Sequence, residues 1–117
     1  MSVLFSANGK FYKGPVEKSW MLKCTKGDIT LTENALILDN CPSYMITSKN
    51  TLSIKYVLPI QNIASVSISK IWLLNLIEVV MRDSSIYTIS FASNFDMGKY
   101  KIKKLIKILK RLVLSQV

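Results

Sequence analysis

The alternation of apolar and polar residues divides the chain into a series of short strands followed by one helix. In residues 95–117, apolar side chains recur every three or four positions, the spacing that keeps one face of a helix dry. Those side chains are Ile102, Leu105, Ile106, Leu109, Leu112 and Val113. A neighbouring arc carries the basic side chains Lys99, Lys103, Lys104, Lys107, Lys110 and Arg111. The pattern therefore predicts an amphipathic C-terminal helix, with Asp96 or Ser93 as its N-cap.

The residues before this helix follow the period of two that is typical of half-buried strands. The alternation begins at residues 19–25, and the next three, Lys26-Gly27-Asp28, indicate a turn. The pattern then predicts strands over 29–32, 35–39, 51–58, 63–70, 74–82 and 86–91. Residues 1–18 contain the turn formers Asn8-Gly9 and Gly14-Pro15, which indicate an irregular leader or a short extra strand. We therefore expect one mainly β domain over residues 19–117, with seven antiparallel strands and the helix as its lid.

The pattern also indicates which faces of the sheet and of the helix are buried. In the strand predicted over 63–70, Ala64, Val66 and Ile68 face one way and three serines face the other, so one face of the sheet is expected to be wet. The dry face of the helix has two interpretations, a plug for the open end of the sheet or a helix lying on a membrane surface. We favour the plug, because the strands otherwise leave that end uncovered.

The composition is that of a globular domain. The chain has 117 residues, of which 50% are hydrophobic, enough to form a core without disulfides. Its apolar runs are all shorter than the ~18 residues of a membrane span. Residues 1–6 lack the basic start of a secretory signal, so we expect a cytoplasmic protein, peripheral at the membrane if lipid is its partner. Cys24 and Cys41 are then expected to be reduced and buried.

The net charge of +9 indicates an anionic partner, such as nucleic acid or a lipid headgroup. Arg82 and Arg111 are the only arginines among the 16 basic residues. Arginine is the better residue for bidentate phosphate recognition, so the charge favours a weak electrostatic preference over a defined phosphate site. A lysine-rich surface that is only compositional is the simpler interpretation.

The residue types argue against an enzyme. The chain has no histidine, which excludes Ser-His-Asp and Cys-His nucleophiles and removes the commonest metal ligand. Its seven carboxylates are scattered singly, and each of its four glycines stands alone. These spacings offer no acid–base pair, no metal site and no phosphate-binding glycine loop. We therefore expect a non-enzymatic protein without a cofactor.

Three segments carry a family pattern in order along the chain: GDITLTENALILDN, LPIQNIASVSI and LIEVVMRDSSIYTISF. They are similar to the opening hairpin, the strand-bend-strand and the last hairpin of the PH-like superfamily, in its GRAM and bacterial PH-type branch. With the helix, they cover most of residues 27–114. The resemblance implies a seven-stranded antiparallel PH-like barrel or sandwich capped by a C-terminal amphipathic helix. It also implies a binding or scaffolding role.

The resemblance further implies where a ligand would bind. In lipid-binding members of the superfamily, the headgroup lies among basic residues near the loop between the first two strands. That loop here offers Lys23 and Lys26, with Lys49 and Lys55 as neighbouring candidates. It lacks the arginine of the lipid-binding motif and has Asp28 beside it. The expected partner is therefore an anionic lipid surface or a protein.

The residues leave two other contacts open. The stripe of Lys99, Lys103, Lys107, Lys110 and Arg111 is the alternative face for an anionic partner, which would make the chain a basic nucleic-acid-binding protein. Against this, Tyr100 is the only aromatic residue there that could stack on a base, and a solvated outer face explains the same pattern. Trp72 is the candidate for a contact with a protein partner.

Overall fold

The computed structural model describes residues 3–40, 54–71, 74–91 and 97–115. The strands in these ranges are β1 (Val3–Lys13), β2 (Thr25–Thr32), β3 (Ala35–Asp39), β4 (Lys55–Pro59), β5 (Ile63–Ile71), β6 (Leu74–Met81) and β7 (Ile86–Ser90). A short helix, α1, spans Trp20–Lys23, and a long helix, α2, spans Met97–Leu114. Neither helix is long and apolar enough to cross a membrane, nor is any other helical stretch of the described ranges.

The strands form one antiparallel sheet in the order β4-β3-β2-β1-β7-β6-β5. Its outermost strands, β4 and β5, are consecutive in the chain and are joined by a single 3-10 turn, Ile60–Asn62. The two edges of the sheet therefore meet at this turn, and the sheet curls around a concave face. The predicted mainly β fold, with seven antiparallel strands and a C-terminal helix, is confirmed.

The concave face of the sheet and the apolar face of α2 enclose the main core. The side chains of α2 that belong to this core or pack against it include Ile102, Leu105, Ile106, Leu109, Leu112 and Val113. The helix lies against β1, β5, β6 and the 3-10 turn. The prediction that α2 packs on the sheet is therefore confirmed, and its apolar face is not available to a membrane.

The first strand of the sheet differs from the predicted one. β1 pairs with β2 from Val3 to Phe11, and its last residues, Lys10–Lys13, also pair with β7. The strand predicted over residues 19–25 is wrong, because Trp20–Lys23 form α1 and β2 begins only at Thr25. Since β1 already occupies the place between β2 and β7, the later segment lies outside the sheet.

Two local predictions are also corrected. The turn predicted at residues 26–28 is wrong, because these residues lie inside β2 and pair with β1. In β5, a register shift after Ile63 places both Ile63 and Val66 in the core, whereas Ala64 is exposed and Ile68 is 45% exposed. A bulge adds one residue to a strand and so shifts the alternation by one position. The predicted apolar face of this strand is therefore only partly correct.

Candidate functional site

The connection between β1 and β2, residues 14–24, packs on the convex side of the sheet. A second, smaller core there contains Tyr12, Val16, Cys24, Ile71 and Leu76. It lies opposite the main core because Leu76 and Ile77 are neighbours in β6 and point to opposite faces. Cys24 is half-buried in this cluster, and Cys41 lies outside the described residues.

Hydrogen bonds to β7 fix the start of the connection. The Gly14 N–H donates to the carbonyl oxygen of Ile86 at 2.7 Å. The hydroxyl of Thr88 donates to the carbonyl oxygen of Gly14 at 2.8 Å. Gly14 has a φ of +148°, a conformation that other residues rarely adopt. The direction in which the chain leaves β1 is therefore set by its neighbour in the sheet.

The next part of the connection is held by a side chain of β6. The N–H of Val16 donates to Oε2 of Glu78 at 3.0 Å, and the Tyr12 hydroxyl donates to the carbonyl oxygen of Pro15 at 2.7 Å. Residues 62 positions apart in sequence are thereby joined. This contact, together with the hydrogen bonds of Gly14, holds the segment that leads into α1 against the sheet.

Glu78→Ala is expected to loosen this segment. The substitution removes the acceptor of the Val16 N–H, and leaving that half-buried group without a partner costs about 1–2 kcal/mol. Urea denaturation should show this decrease in the free energy of unfolding, and trypsin should cleave the connection faster. Glu33→Ala is the matched control, because Glu33 is an exposed carboxylate in the turn between β2 and β3. Equal trypsin sensitivity of the two variants would contradict the proposed restraint.

An open cleft of about 340 Å³ lies where this connection meets the ends of β1 and β4. Its lining residues are Phe11, Tyr12, Lys13, Lys23, Thr25, Ile54 and Tyr56. The volume falls at the lower end of the range of small-molecule sites, about 300–1,000 Å³. The cleft combines aromatic side chains with two lysines, and among the described residues no carboxylate lines it.

Aromatic rings from three strands pack together at this cleft. The ring of Tyr56 lies edge-to-face with those of Phe11 and Tyr87, at centroid distances of 6.1 and 5.1 Å. The Lys13 ammonium lies 5.8 Å from the centroid of the Tyr87 ring, within the range of a cation–π contact. Edge-to-face packing and the cation–π contact restrict the positions of these side chains. The cleft therefore has a packed wall with a positive charge beside it.

The second lysine of the cleft is held by an exposed ion pair. The ammonium of Lys23 contacts Oε1 of Glu17, which also accepts a hydrogen bond from the Ser19 hydroxyl at 2.8 Å. The hydrogen bond from Lys23 is the main cause that lowers the pKa of Glu17, and the same contact raises the pKa of Lys23. Because both groups are solvated, the pair adds little stability. An anion that enters the cleft can therefore compete with Glu17 for Lys23.

Of the four lysines that the resemblance implied as ligand-binding residues, the structure places only one in the lining of the cleft. Lys23 lines the cleft, and Lys49 lies outside the described residues. Lys26 and Lys55 are exposed, and each is the strand neighbour of a lining residue. Neither Lys26 nor Lys55 is itself part of the lining. Lys13, which the resemblance did not imply, lines the cleft together with Lys23.

The other sequence-predicted residues lie elsewhere. Lys103, Lys107, Lys110 and Arg111 are exposed on α2, and none of them lines the cleft. The side chain of Lys99 and the whole of Trp72 fall outside the part of the chain that the structure describes. The basic stripe of α2 and the cleft are therefore separate surfaces.

The residues that the structure describes form no metal centre. Across residues 3–40, 54–71, 74–91 and 97–115, no three cysteine or carboxylate side chains gather closely enough to bind a metal ion. What the cleft offers chemically is therefore charge and aromatic surface, from Lys13, Lys23 and the rings beside them. Comparisons of the chain with protein-family models and with curated proteins found no match to either.

Proposed function

We propose that the protein is a non-enzymatic binding module of the PH-like type, which uses this cleft to attach to an anionic lipid surface. The observation that carries the proposal is the pair Lys13 and Lys23 at an aromatic-lined cleft beside an exposed apolar helix tip. The strand order and the C-terminal helix support the PH-like assignment, because they follow the layout implied by the three sequence segments.

The lining of the cleft favours a small anionic group. Lys13 and Lys23 line it, and no carboxylate of the described residues does, although Glu17 pairs with Lys23 from outside the lining. A lysine is a compact charge that suits a phosphate without imposing a bidentate geometry. The cleft is therefore expected to bind anionic groups in general and not to select one particular headgroup. This agrees with the scarcity of arginine in the sequence.

The neighbouring helix α1 favours a membrane as the source of that group. Leu22 is 90% exposed, although it lies in a segment that is fixed against the sheet. Lys18 and Lys23 flank it, and both are exposed. An apolar tip between lysines matches the boundary between acyl chains and anionic headgroups. The proposed location is therefore the cytoplasm, at the surface of a membrane.

Vesicle co-sedimentation tests this function. Neutral vesicles, phosphatidylserine vesicles and charge-matched phosphoinositide vesicles are compared at low and at physiological salt. Each lysine near an anionic surface contributes about 1 kcal/mol, so Lys13→Ala/Lys23→Ala should weaken binding to phosphatidylserine vesicles roughly 30-fold. Leu22→Ser should weaken it further, and this loss should persist at physiological salt because it is apolar.

The matched control removes the same charge from two lysines outside the cleft lining. Lys10 and Lys26 are partners in the β1–β2 register, and neither lines the cleft. Lys10→Ala/Lys26→Ala should therefore weaken binding much less, and this variant also tests whether Lys26 belongs to the site. Equal losses in the two double variants would show attraction by net charge alone. Absence of binding to every anionic vesicle would overturn the lipid proposal.

A further inference from the structure

Five basic side chains of α2 form one exposed surface, which we call the basic face. They are Lys103, Lys104, Lys107, Lys110 and Arg111, and each of them is exposed. The apolar side of the same helix is buried in the main core, so α2 is held with these charges toward the solvent. None of the five residues lines the cleft at Lys13 and Lys23.

The basic face is not neutralised by the described part of the chain. Among the described residues, no carboxylate forms an ion pair with any of its five side chains. The sequence of α2 contains seven basic residues and no acidic one. Of the seven carboxylates in the chain, only Asp96 lies outside the described ranges, and one carboxylate offsets at most one of the five charges. The basic face is therefore strongly positive.

Lys107 is the centre of the basic face. The other four members are its neighbours on the helix surface, three and four residues away in each direction. At about 100° per residue, two of them lie on one side of Lys107 and two on the other, with about 100° between the two sides. Like charges at these spacings repel one another and weaken a helix. A partner with closely spaced negative charges would remove this repulsion.

We infer that the basic face of α2 binds the phosphate backbone of double-stranded DNA. From Lys103 to Arg111 the helix rises about 12 Å. A DNA duplex of that length carries about seven negative charges, because both strands together supply one per 1.7 Å. An extended acidic peptide directs a side chain to the same surface only about every 7 Å, which gives about two charges over this length. The charge density of the basic face therefore matches that of the duplex.

The shape of the basic face favours B-form DNA over other nucleic acids. A helix with its side chains is about 10–12 Å across, and the major groove of B-DNA is about 12 Å wide. The two sides of the basic face can then meet the phosphates of the two strands, whereas the major groove of double-stranded RNA is deep and narrow. Single strands are bound by stacking on several aromatic rings, and Tyr100 is the only aromatic residue of α2.

An anionic membrane fits the basic face less well. The apolar side of α2, which would enter the membrane, is buried in the main core. The cleft differs in this respect, because the exposed Leu22 stands beside it. The inference does not rest on the lipid binding proposed for the cleft, and either proposal can fail alone.

Fluorescence anisotropy of a labelled DNA duplex, titrated with the full-length chain, tests this inference. Five phosphate contacts predict a slope of about −4.5 for the logarithm of the binding constant against that of the salt concentration, so the affinity should fall about 500-fold between about 50 and 200 mM salt. Lys103→Gln/Lys107→Gln/Lys110→Gln should reduce this slope to about −2. Two duplexes of unrelated sequence should bind equally, because phosphate contacts carry no sequence information.

The control variant is Lys18→Gln/Lys26→Gln/Lys55→Gln, which removes the same charge from three exposed lysines outside α2. It should leave the slope nearly unchanged. Equal changes of slope in the two variants would show attraction by net charge alone and would overturn the inference. So would an RNA duplex or a single strand of the same sequence that binds as tightly as the DNA duplex.

Phosphatidylserine vesicles separate this inference from the lipid proposal. The helix variant should bind them nearly as well as the unchanged protein does, because the proposed lipid site is the cleft. If it lost vesicle binding as strongly as DNA binding, the basic face would be a surface for anions in general, and the inference would be wrong. Absence of binding to the DNA duplex at low salt would also overturn it and would leave the lipid proposal standing.

Discussion

Leu109→Ala is expected to lower the free energy of unfolding by about 2–5 kcal/mol. Leu109 lies on α2, and its side chain is fully buried in the main core. Alanine at this position removes apolar surface from the core and leaves a cavity under the helix. A single domain is typically stable by only about 5–15 kcal/mol, so this one change removes a large part of the total.

Urea denaturation followed by circular dichroism measures this effect. Leu114→Ala is the matched control, because Leu114 lies in the same helix but is 72% exposed. The control should change the free energy of unfolding by less than about 0.5 kcal/mol. If the two variants were equally stable, the apolar face of α2 would not be packed on the sheet. The alternative interpretation, a helix lying on a membrane surface, would then gain support.

The parts of the fold that the sequence predicts well are those with an unbroken period. In α2, the recurrence of apolar residues at three and four positions coincides with the buried face, from Ile102 to Val113. The hairpin of β2 and β3 and the hairpin of β6 and β7 also follow from alternating or uniformly apolar runs around short turns. In each case, the residues that define the period are close together in the chain.

The sequence predicts β1 only as one of two alternatives, a short extra strand or an irregular leader within residues 1–18, because its small residues resemble turn formers. Ala7 and Gly9 continue the inward-facing row that includes Phe5 and Phe11. A residue larger than glycine does not fit at position 9, because a Cβ there would lie 2.8 Å from the carbonyl oxygen of Ser90. The dipeptide Asn8-Gly9 therefore marks a close approach of backbones inside a sheet, which the sequence does not distinguish from a turn.

The candidate site was accessible to sequence reasoning only in part. The family resemblance predicts Lys23, although the strand predicted over residues 19–25 includes it; in the structure Lys23 lies in the connection between β1 and β2. Lys13 is not predicted, because its role depends on β1, which the pattern gives only as one of two alternatives. The ring contacts of Tyr56 with Phe11 and Tyr87 join strands that are distant in the sequence, so only the sheet order places them together.

Gly27→Ala is expected to lower the free energy of unfolding by about 3 kcal/mol, at the upper end of the usual cost of overpacking. Gly27 pairs with Gly9 across β1 and β2, so neither strand carries a side chain at this point of the curled sheet. A Cβ at Gly27 would lie 2.7 Å from Cα of Asn40 and 2.9 Å from the carbonyl carbon of Asp39, with the carbonyl oxygen of Asp39 closer still. These are backbone atoms, so they can move away only if the end of β3 moves too.

Two opposing effects decide the sign of this change. Alanine restricts the unfolded chain more than glycine does, which alone would stabilise the protein by about 0.4–1 kcal/mol. The clash with β3 should exceed this gain, because a flexible side chain is not available to give way. Urea denaturation of Gly27→Ala beside Lys26→Ala, an exposed neighbour in the same strand, measures the difference. A variant as stable as the unchanged protein would mean that β2 and β3 are farther apart at Gly27, and that the glycine serves chain flexibility rather than the curl of the sheet.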